Sequence, residues 1–297
     1  MKSINQPITL LNNWELSIKR EDLLMPEISG NKFRKLKYQL QQIKGSEIKT
    51  IITFGGAFSN HIAAVATAGK KYNLKTIGII RGEELRSKIS GNPTLSYAEK
   101  QGMQLEFISR EAYRMKENEE FISQLKETYG QFHLIPEGGT NDLAIKGCAE
   151  ILTLEDTAFD YICVAVGTGG TMAGIVSTLA SNQFALGFSA LKGTFQKKFV
   201  AQQTTQENFE ITDSYNFGGY AKIDSDLVRF INTFKAQHGV LLDPVYTGKM
   251  MYGIYDLIEK QYFKKNSRIL AVHTGGLQGI AGMNLMLQRK NLPLIDV

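Results

Sequence analysis

In Gly30-Asn31-Lys32-Phe33-Arg34-Lys35-Leu36 a lysine stands just after a Gly-Asn turn, at the head of an amphipathic stretch whose spacing predicts a helix over 33–42. There its amine would meet the positive end of a helix dipole and a desolvated setting, and both favour the neutral, nucleophilic form. A neutral amine is what Schiff-base chemistry with a carbonyl requires. The competing reading of Lys32 is a solvated side chain on a basic helix face, beside Arg34, Lys35 and Lys37.

A second cluster, Gly167-Thr168-Gly169-Gly170-Thr171, follows an apolar run at 161–166 and precedes a helix-like segment at 172–180. A strand delivers the chain, glycines turn it tightly, and the new helix aims unpaired N–H groups outward, which is the construction of an anion site. A dinucleotide fingerprint would need glycine where Met172 stands, and a Walker loop would end in Gly-Lys-Ser or Gly-Lys-Thr. What remains is a phosphate held by backbone amides, or a glycine-rich turn that packs helix on strand. A reactive lysine together with a backbone phosphate cradle is the requirement list for pyridoxal 5′-phosphate. The pair is more specific than either member.

The elements that must position these groups read as two α/β series. Strand patterns at 50–54, 75–80, 104–108 and 133–135 alternate with helical patterns at 59–72, 93–101 and 112–129. Turn formers at 136–141 mark a passage between domains, and a second series follows: helices at 142–153 and 172–180, strands at 161–166, 184–188 and 267–273, and a final helix. This rhythm belongs to right-handed βαβ units. The expected fold class is α/β, with two open, mainly parallel twisted sheets flanked by helices and a cleft between two domains. Loops at the carboxyl ends of strands would face that cleft, and Gly55 to His61, Gly167 to Thr171 and His273-Thr274-Gly275-Gly276 fall at such ends.

A chain of 297 residues is long enough for two such domains. Hydrophobic content of 43% with 21% charged residues is that of a soluble globular protein, and no run reaches the ~18 apolar residues of a membrane helix. Residues 1–13 show no leader pattern, so a cytoplasmic location is expected. Cys148 and Cys163 match no disulfide framework, redox motif or metal site, and read as small buried apolar groups. The net charge of +5 comes from scattered lysines with no aromatic-interleaved stripe, which argues against nucleic acid and is compatible with an anionic cofactor or substrate.

Taken together, Gly30 to Leu36, Gly55-Gly56 with Ser59-Asn60-His61, Gly167 to Thr171, Leu242-Asp243-Pro244-Val245-Tyr246-Thr247-Gly248-Lys249 and His273 to Gly276 resemble the motifs of the D-cysteine desulfhydrase and 1-aminocyclopropane-1-carboxylate (ACC) deaminase family. These are pyridoxal-phosphate enzymes of fold type II, related to the tryptophan synthase β subunit. The resemblance implies a larger cofactor domain from 1–36 and 142–297, a smaller domain from 37–141, and a homodimer. It implies that Lys32 carries the cofactor and moves a proton at carbon, that Asn60 meets the cofactor's 3′ oxygen, and that the amides of Gly167, Thr168, Gly169, Gly170 and Thr171 hold its phosphate. Ser59, Asn60, His61 and Thr247 would contact substrate, Ser59 doubling as a helix cap. Tyr246 and Tyr220 would be the active-site tyrosines, and Thr274 would face the pyridine nitrogen.

The deaminase branch carries Glu after the tyrosine and Leu between His and Gly-Gly, where this chain has Thr247 and Thr274. That favours α,β-elimination of D-cysteine, or a similar D-amino acid, to pyruvate, ammonia and hydrogen sulfide. ACC deamination to 2-oxobutyrate and ammonia, a lyase or racemase acting on a serine-like substrate, and a weakly catalytic cofactor-binding relative are the alternatives.

Overall fold

The computed structural model of the chain describes residues 2–10, 14–25, 28 and 30–297, so part of the N-terminal stretch read above lies outside them. Two strands that sequence periodicity did not flag come first, β1 (Asn5–Ile8) and β2 (Glu15–Lys19), paired antiparallel with Asn5 opposite Lys19. Helix α1 (Asn31–Lys44) leads into β3 (Thr50–Gly55), α2 (Asn60–Tyr72), β4 (Lys75–Arg81), α3 (Pro93–Lys100), β5 (Gln104–Ile108), α4 (Arg110–Arg114), α5 (Glu119–Tyr129) and β6 (His133–Ile135). Then come α6 (Asp142–Cys148), β7 (Tyr161–Val166), α7 (Gly170–Val176), β8 (Phe184–Ser189), α8 (Gln196–Gln202), β9 (Phe209–Thr212), α9 (Ser225–His238), α10 (Thr247–Glu259), β10 (Arg268–Val272) and α11 (Gly279–Arg289).

These strands build the two sheets expected. One runs β5-β4-β3-β6 and is parallel throughout; the other runs β1-β2-β10-β7-β8-β9 and is parallel apart from β1. Parallel strands are covered on both faces and so read as continuous apolar runs. The period of two sends neighbours to opposite sides: Ile51 packs under α2 with Ile62 and Val65, while Ile52 and Phe54 pack on the other face with Tyr113 and Leu125. In the larger sheet Ile162, Val164 and Val166 share one core, and Cys163 and Ala165 the opposite one. Both cysteines are buried free thiols.

Local chemistry moved several boundaries. The helix expected over 112–129 is broken at 115–118, where Asn118 adopts an extended conformation that starts α5 afresh. The one expected over 142–153 stops at Cys148, and Thr153 with Asp156 forms a capping box that opens a separate short 3-10 turn. Helix α7 starts two residues early, since Gly169 at φ 94° turns the chain, and it ends early, where Ser177 and Thr178 hydroxyls fold back on the Gly174 carbonyl. Among the described residues no helix is long and apolar enough to cross a membrane.

Candidate active site

Helix α1 is fixed at both of its functional turns. A Cβ on Gly30, at φ 65°, would lie 2.0 Å from the Thr274 carbonyl oxygen, and the Asn31 N–H donates to that oxygen at 3.1 Å. The start of α1 is thereby pressed onto the loop that follows β10. Arg34 grips the buried Glu21 carboxylate with two bonds of 2.8 and 2.9 Å, and Gly147 lets α6 approach the Arg34 carbonyl. Lys32 is placed between these anchors, its Nζ 3.1 Å from Asn31 Oδ1. Burial first, and the charge of Lys35 second, push its amine down to about 7 against the opposing pull of Asp243. At neutral pH about half of such amines are unprotonated, against about one in 10³ for an ordinary lysine.

One turn on, Lys35 Nζ donates to the Gly138 carbonyl and to Thr140 Oγ1, both at 2.9 Å. Burial lowers its pKa as well. Thr140 Oγ1 is in turn hydrogen-bonded to Thr168 Oγ1 in the glycine-rich loop. A second tie runs from Asn31 Nδ2 to Thr171 Oγ1 at 2.8 Å. Gln196, buried, donates to the Gly167 carbonyl at 3.1 Å and to Ser189 Oγ at 3.0 Å. Gly169 heads α7 with no side-chain cap, so the first amides of that helix are left for a ligand. Close packing requires the glycines: a Cβ would lie 2.8 Å from the Phe199 ring at 169 and 2.7 Å from the Thr140 methyl at 170.

From the smaller sheet, β3 delivers the turn into α2. Ser59 Oγ accepts the Ile62 N–H at 3.3 Å as a cap, and Asn60 Oδ1 accepts from Gln278. His61 is buried, with Nε2 2.7 Å from Thr53 Oγ1. Thr53 spends its own proton on the Ile135 carbonyl at 2.8 Å, so His61 must be the donor, with its proton on Nε2. Its Nδ1 has no partner among the described residues. Burial, then Lys32 and Lys35, hold its pKa well below the usual imidazole value, so the ring is neutral.

Asp243 accepts from the N–H groups of Val245, Tyr246 and Thr247 and from the Thr247 hydroxyl. This buried carboxylate sets the start of α10 and lays the Tyr246 ring over Gly167, where a Cβ would be 3.2 Å from the ring. Tyr220 meets Tyr246 edge to face with centroids 6.3 Å apart. Burial holds the Tyr246 phenol well above the usual value, whereas Tyr220 is 42% exposed at the cleft.

A cleft of about 860 Å³ between the two sheets brings together Lys32, Ser59, Asn60, His61, Gly167, Thr168, Gly169, Thr171, Tyr220, Tyr246 and Thr274. Gly170 is buried behind the loop surface. Thr247 is the exception. It is fully buried with its hydroxyl turned onto Asp243, so its reading as a direct substrate contact gives way to a capping role at α10. Three contributors escaped sequence reading: Lys35, Gln196 and Arg81. Lys35 had a signal, being three residues after Lys32 on one helix face. Gln196 had none, because a buried glutamine that pins a carbonyl shares no spacing with the loop it serves.

A nearly neutral amine suits an aldehyde, and bare amides flanked by Lys35 suit a phosphate, so the cleft fits pyridoxal 5′-phosphate. The model of the family described as "Pyridoxal-phosphate dependent enzyme" matches residues 4–275. The chain belongs to that family. It is 33% identical to a putative ACC deaminase of Pyrococcus horikoshii, over 89% of this chain and 85% of that protein. It is also 33% identical to the bifunctional D-cysteine desulfhydrase/ACC deaminase of Arabidopsis thaliana, over 91% of this chain and 74% of that protein. The crystal structure of an ACC deaminase homologue superposes with a TM-score of 0.83 at 28% identity, covering 97% of this chain and 94% of the other. This pyridoxal-phosphate enzyme therefore sits in the ACC deaminase and D-cysteine desulfhydrase group, with the fold-type II arrangement its motifs implied.

Proposed function

We propose that the enzyme is a lyase that carries out α,β-elimination on D-cysteine or a similar D-amino acid, giving pyruvate, ammonia and hydrogen sulfide. The observation that carries this reading is the pair of protonated phenols, Tyr220 and Tyr246, in the same cleft as an amine poised near neutrality. The bound cofactor supplies an electron sink for negative charge at the substrate α-carbon. Lys32, which would hold the cofactor until the substrate amine takes its place, is then free to take the α-proton, as its pKa allows at neutral pH. The β-carbon–sulfur bond breaks with its electron pair on sulfur. A phenol of the Tyr220–Tyr246 pair would give its proton to the departing thiolate. The released enamine hydrolyses to pyruvate and ammonia.

The amides at the start of α2, with Ser59, would receive the carboxylate; Asn60 would orient the cofactor ring through its 3′ oxygen; and the Gly167 to Thr171 amides would receive the phosphate. Thr274 would offer the ring nitrogen a neutral hydroxyl, which draws less charge into the ring than a carboxylic acid partner and favours expulsion of a good leaving group. Phenols held in the protonated form are poor nucleophiles, which counts against direct attack on a cyclopropane ring. The D-configuration rests on kinship with the Arabidopsis desulfhydrase.

ACC deamination to 2-oxobutyrate and ammonia is the second reading, favoured by the names of the archaeal relatives at 33% identity. One assay separates them: D-cysteine, L-cysteine, D-serine and ACC are each supplied to the holoenzyme while pyruvate, 2-oxobutyrate and sulfide are measured. Sulfide and pyruvate from D-cysteine support elimination; 2-oxobutyrate from ACC with no sulfide from D-cysteine replaces it. The enzyme is further proposed to be a cytoplasmic homodimer on kinship alone, and light scattering in solution tests the assembly.

A further inference from the structure

We propose that Arg81 is a specificity-determining residue whose guanidinium receives an anionic group of the substrate; this rests on the reading of the cleft as an amino-acid site. Arg81 ends β4, in the strand next to β3, and continues the register that pairs Gly55 with Ile80, so it stands beside Gly56. Its Nη2 lies 3.6 Å from where a Cβ on Gly56 would be. The Gly56 carbonyl accepts the Ser59 N–H at 3.2 Å, so the turn beside the guanidinium is the one that ends in the Ser59 cap of α2. Behind it the guanidinium carbon is 5.7 Å from the ring centroid of Tyr113, a buried side chain, which orients the planar group.

What makes this arginine informative is that its donors are unspent. Among the described residues it has no carboxylate partner and no side-chain hydrogen bond, although it lines the cleft. The acids on the same wall are engaged elsewhere, Glu84 with Arg110 at 2.7 Å and Glu137 with Lys116 at 3.3 Å. A planar fork of five donors, solvent-exposed beside the Tyr113 ring at the carboxyl end of a parallel strand, matches a carboxylate in geometry and charge. Two parts of a substrate could supply that anion: the α-carboxylate, shared with the α2 amides, or an acidic group on the side chain.

The test uses holoenzyme, with cofactor absorbance reporting the binding of D-alanine and D-aspartate, neither of which carries a thiol leaving group. Arg81→Gln is expected to weaken D-alanine by roughly 10- to 100-fold and to raise KM for D-cysteine by a similar factor, with kcat within about threefold, on the scale of hydrogen bonds to a charged group. Arg81→Lys should recover part of the loss, because it keeps the charge without the fork. Binding of 2-aminoethanethiol, which lacks the carboxylate, should be the same in wild type and Arg81→Gln. Weakening of D-aspartate alone would place the anion on the side chain and keep Arg81 as its receptor. Unchanged binding of both amino acids by an Arg81→Gln enzyme with normal cofactor absorbance would overturn the assignment. A wild-type enzyme that holds cofactor yet responds to no amino acid would instead overturn the reading of the cleft, and the role of Arg81 with it.

Discussion

Two helix starts face each other across the cleft, one from each sheet, and they are finished differently. At α2 the cap is Ser59, in an extended conformation, with its hydroxyl on the Ile62 N–H. At α7 the cap is Gly169, left-handed at φ 94°, with no side chain to offer. A helix start whose own serine satisfies one amide leaves the others to water or to an exchangeable ligand. A start with bare amides, tied to Thr140 and Lys35 on one side and Asn31 on the other, is finished by a resident group. The division of labour we propose follows from the caps: cofactor phosphate at α7, transient substrate carboxylate at α2.

The largest effect that could break this picture is at Lys32. Lys32→Ala should abolish the borohydride-stable cofactor adduct and lower activity by at least about 10³-fold, the upper range of what one positioned proton-transfer group supplies. An adduct mapped by mass spectrometry to another lysine would remove Lys32 from the mechanism. Next in size, Gly169→Ala places a Cβ 2.8 Å from the Phe199 ring at a backbone angle that favours glycine. Cofactor retention should fall roughly 10- to 100-fold, the scale of one or two hydrogen bonds to a charged group, as measured by equilibrium dialysis; retention equal to wild type would mean that the uncapped start does not hold the phosphate.

The pH dependence of cofactor capture sharpens the same comparison. Because the Lys32 amine is lowered to about 7, it loses its proton at lower pH than other lysines, so borohydride trapping of the apoenzyme should rise with pH through a midpoint near 7. Lys35→Met removes the second cause of the depression and leaves the first, burial, in place. The midpoint should therefore move up, but well short of an ordinary lysine's value. A wild-type midpoint near 10 would show the amine to be solvated.

The central site was legible because its chemistry is local in sequence. Gly30 to Lys32, Ser59 to His61 and Gly167 to Thr171 each place a turn, a cap and a functional group within a few residues, and strand period announces which chain end reaches the cleft. Interactions made across the fold were not legible. Thr247 is a substrate contact by resemblance, yet Asp243 captures its hydroxyl, a contact no motif announces. Lys35 acts through Gly138 and Thr140, more than 100 residues away. Strands β1 and β2 are short, and β1 lies at the sheet edge, where alternation is weak; α8 and β9 fill the segment 189–220, whose polar composition masks its periodicity.

The smallest expected effect decides whether the two roles of Ser59 are separate. Ser59→Ala removes the cap and should cost about 1 kcal/mol of stability, together with a severalfold rise in KM, while cofactor retention stays unchanged. Asparagine caps helices about as well as serine, but its longer amide would displace a carboxylate bound at the same amides. Ser59→Asn should therefore restore the melting temperature of wild type and leave KM raised. If KM instead recovers along with stability, Ser59 serves the substrate only by keeping α2 in place, and the exchangeable site at this helix start is made of backbone alone.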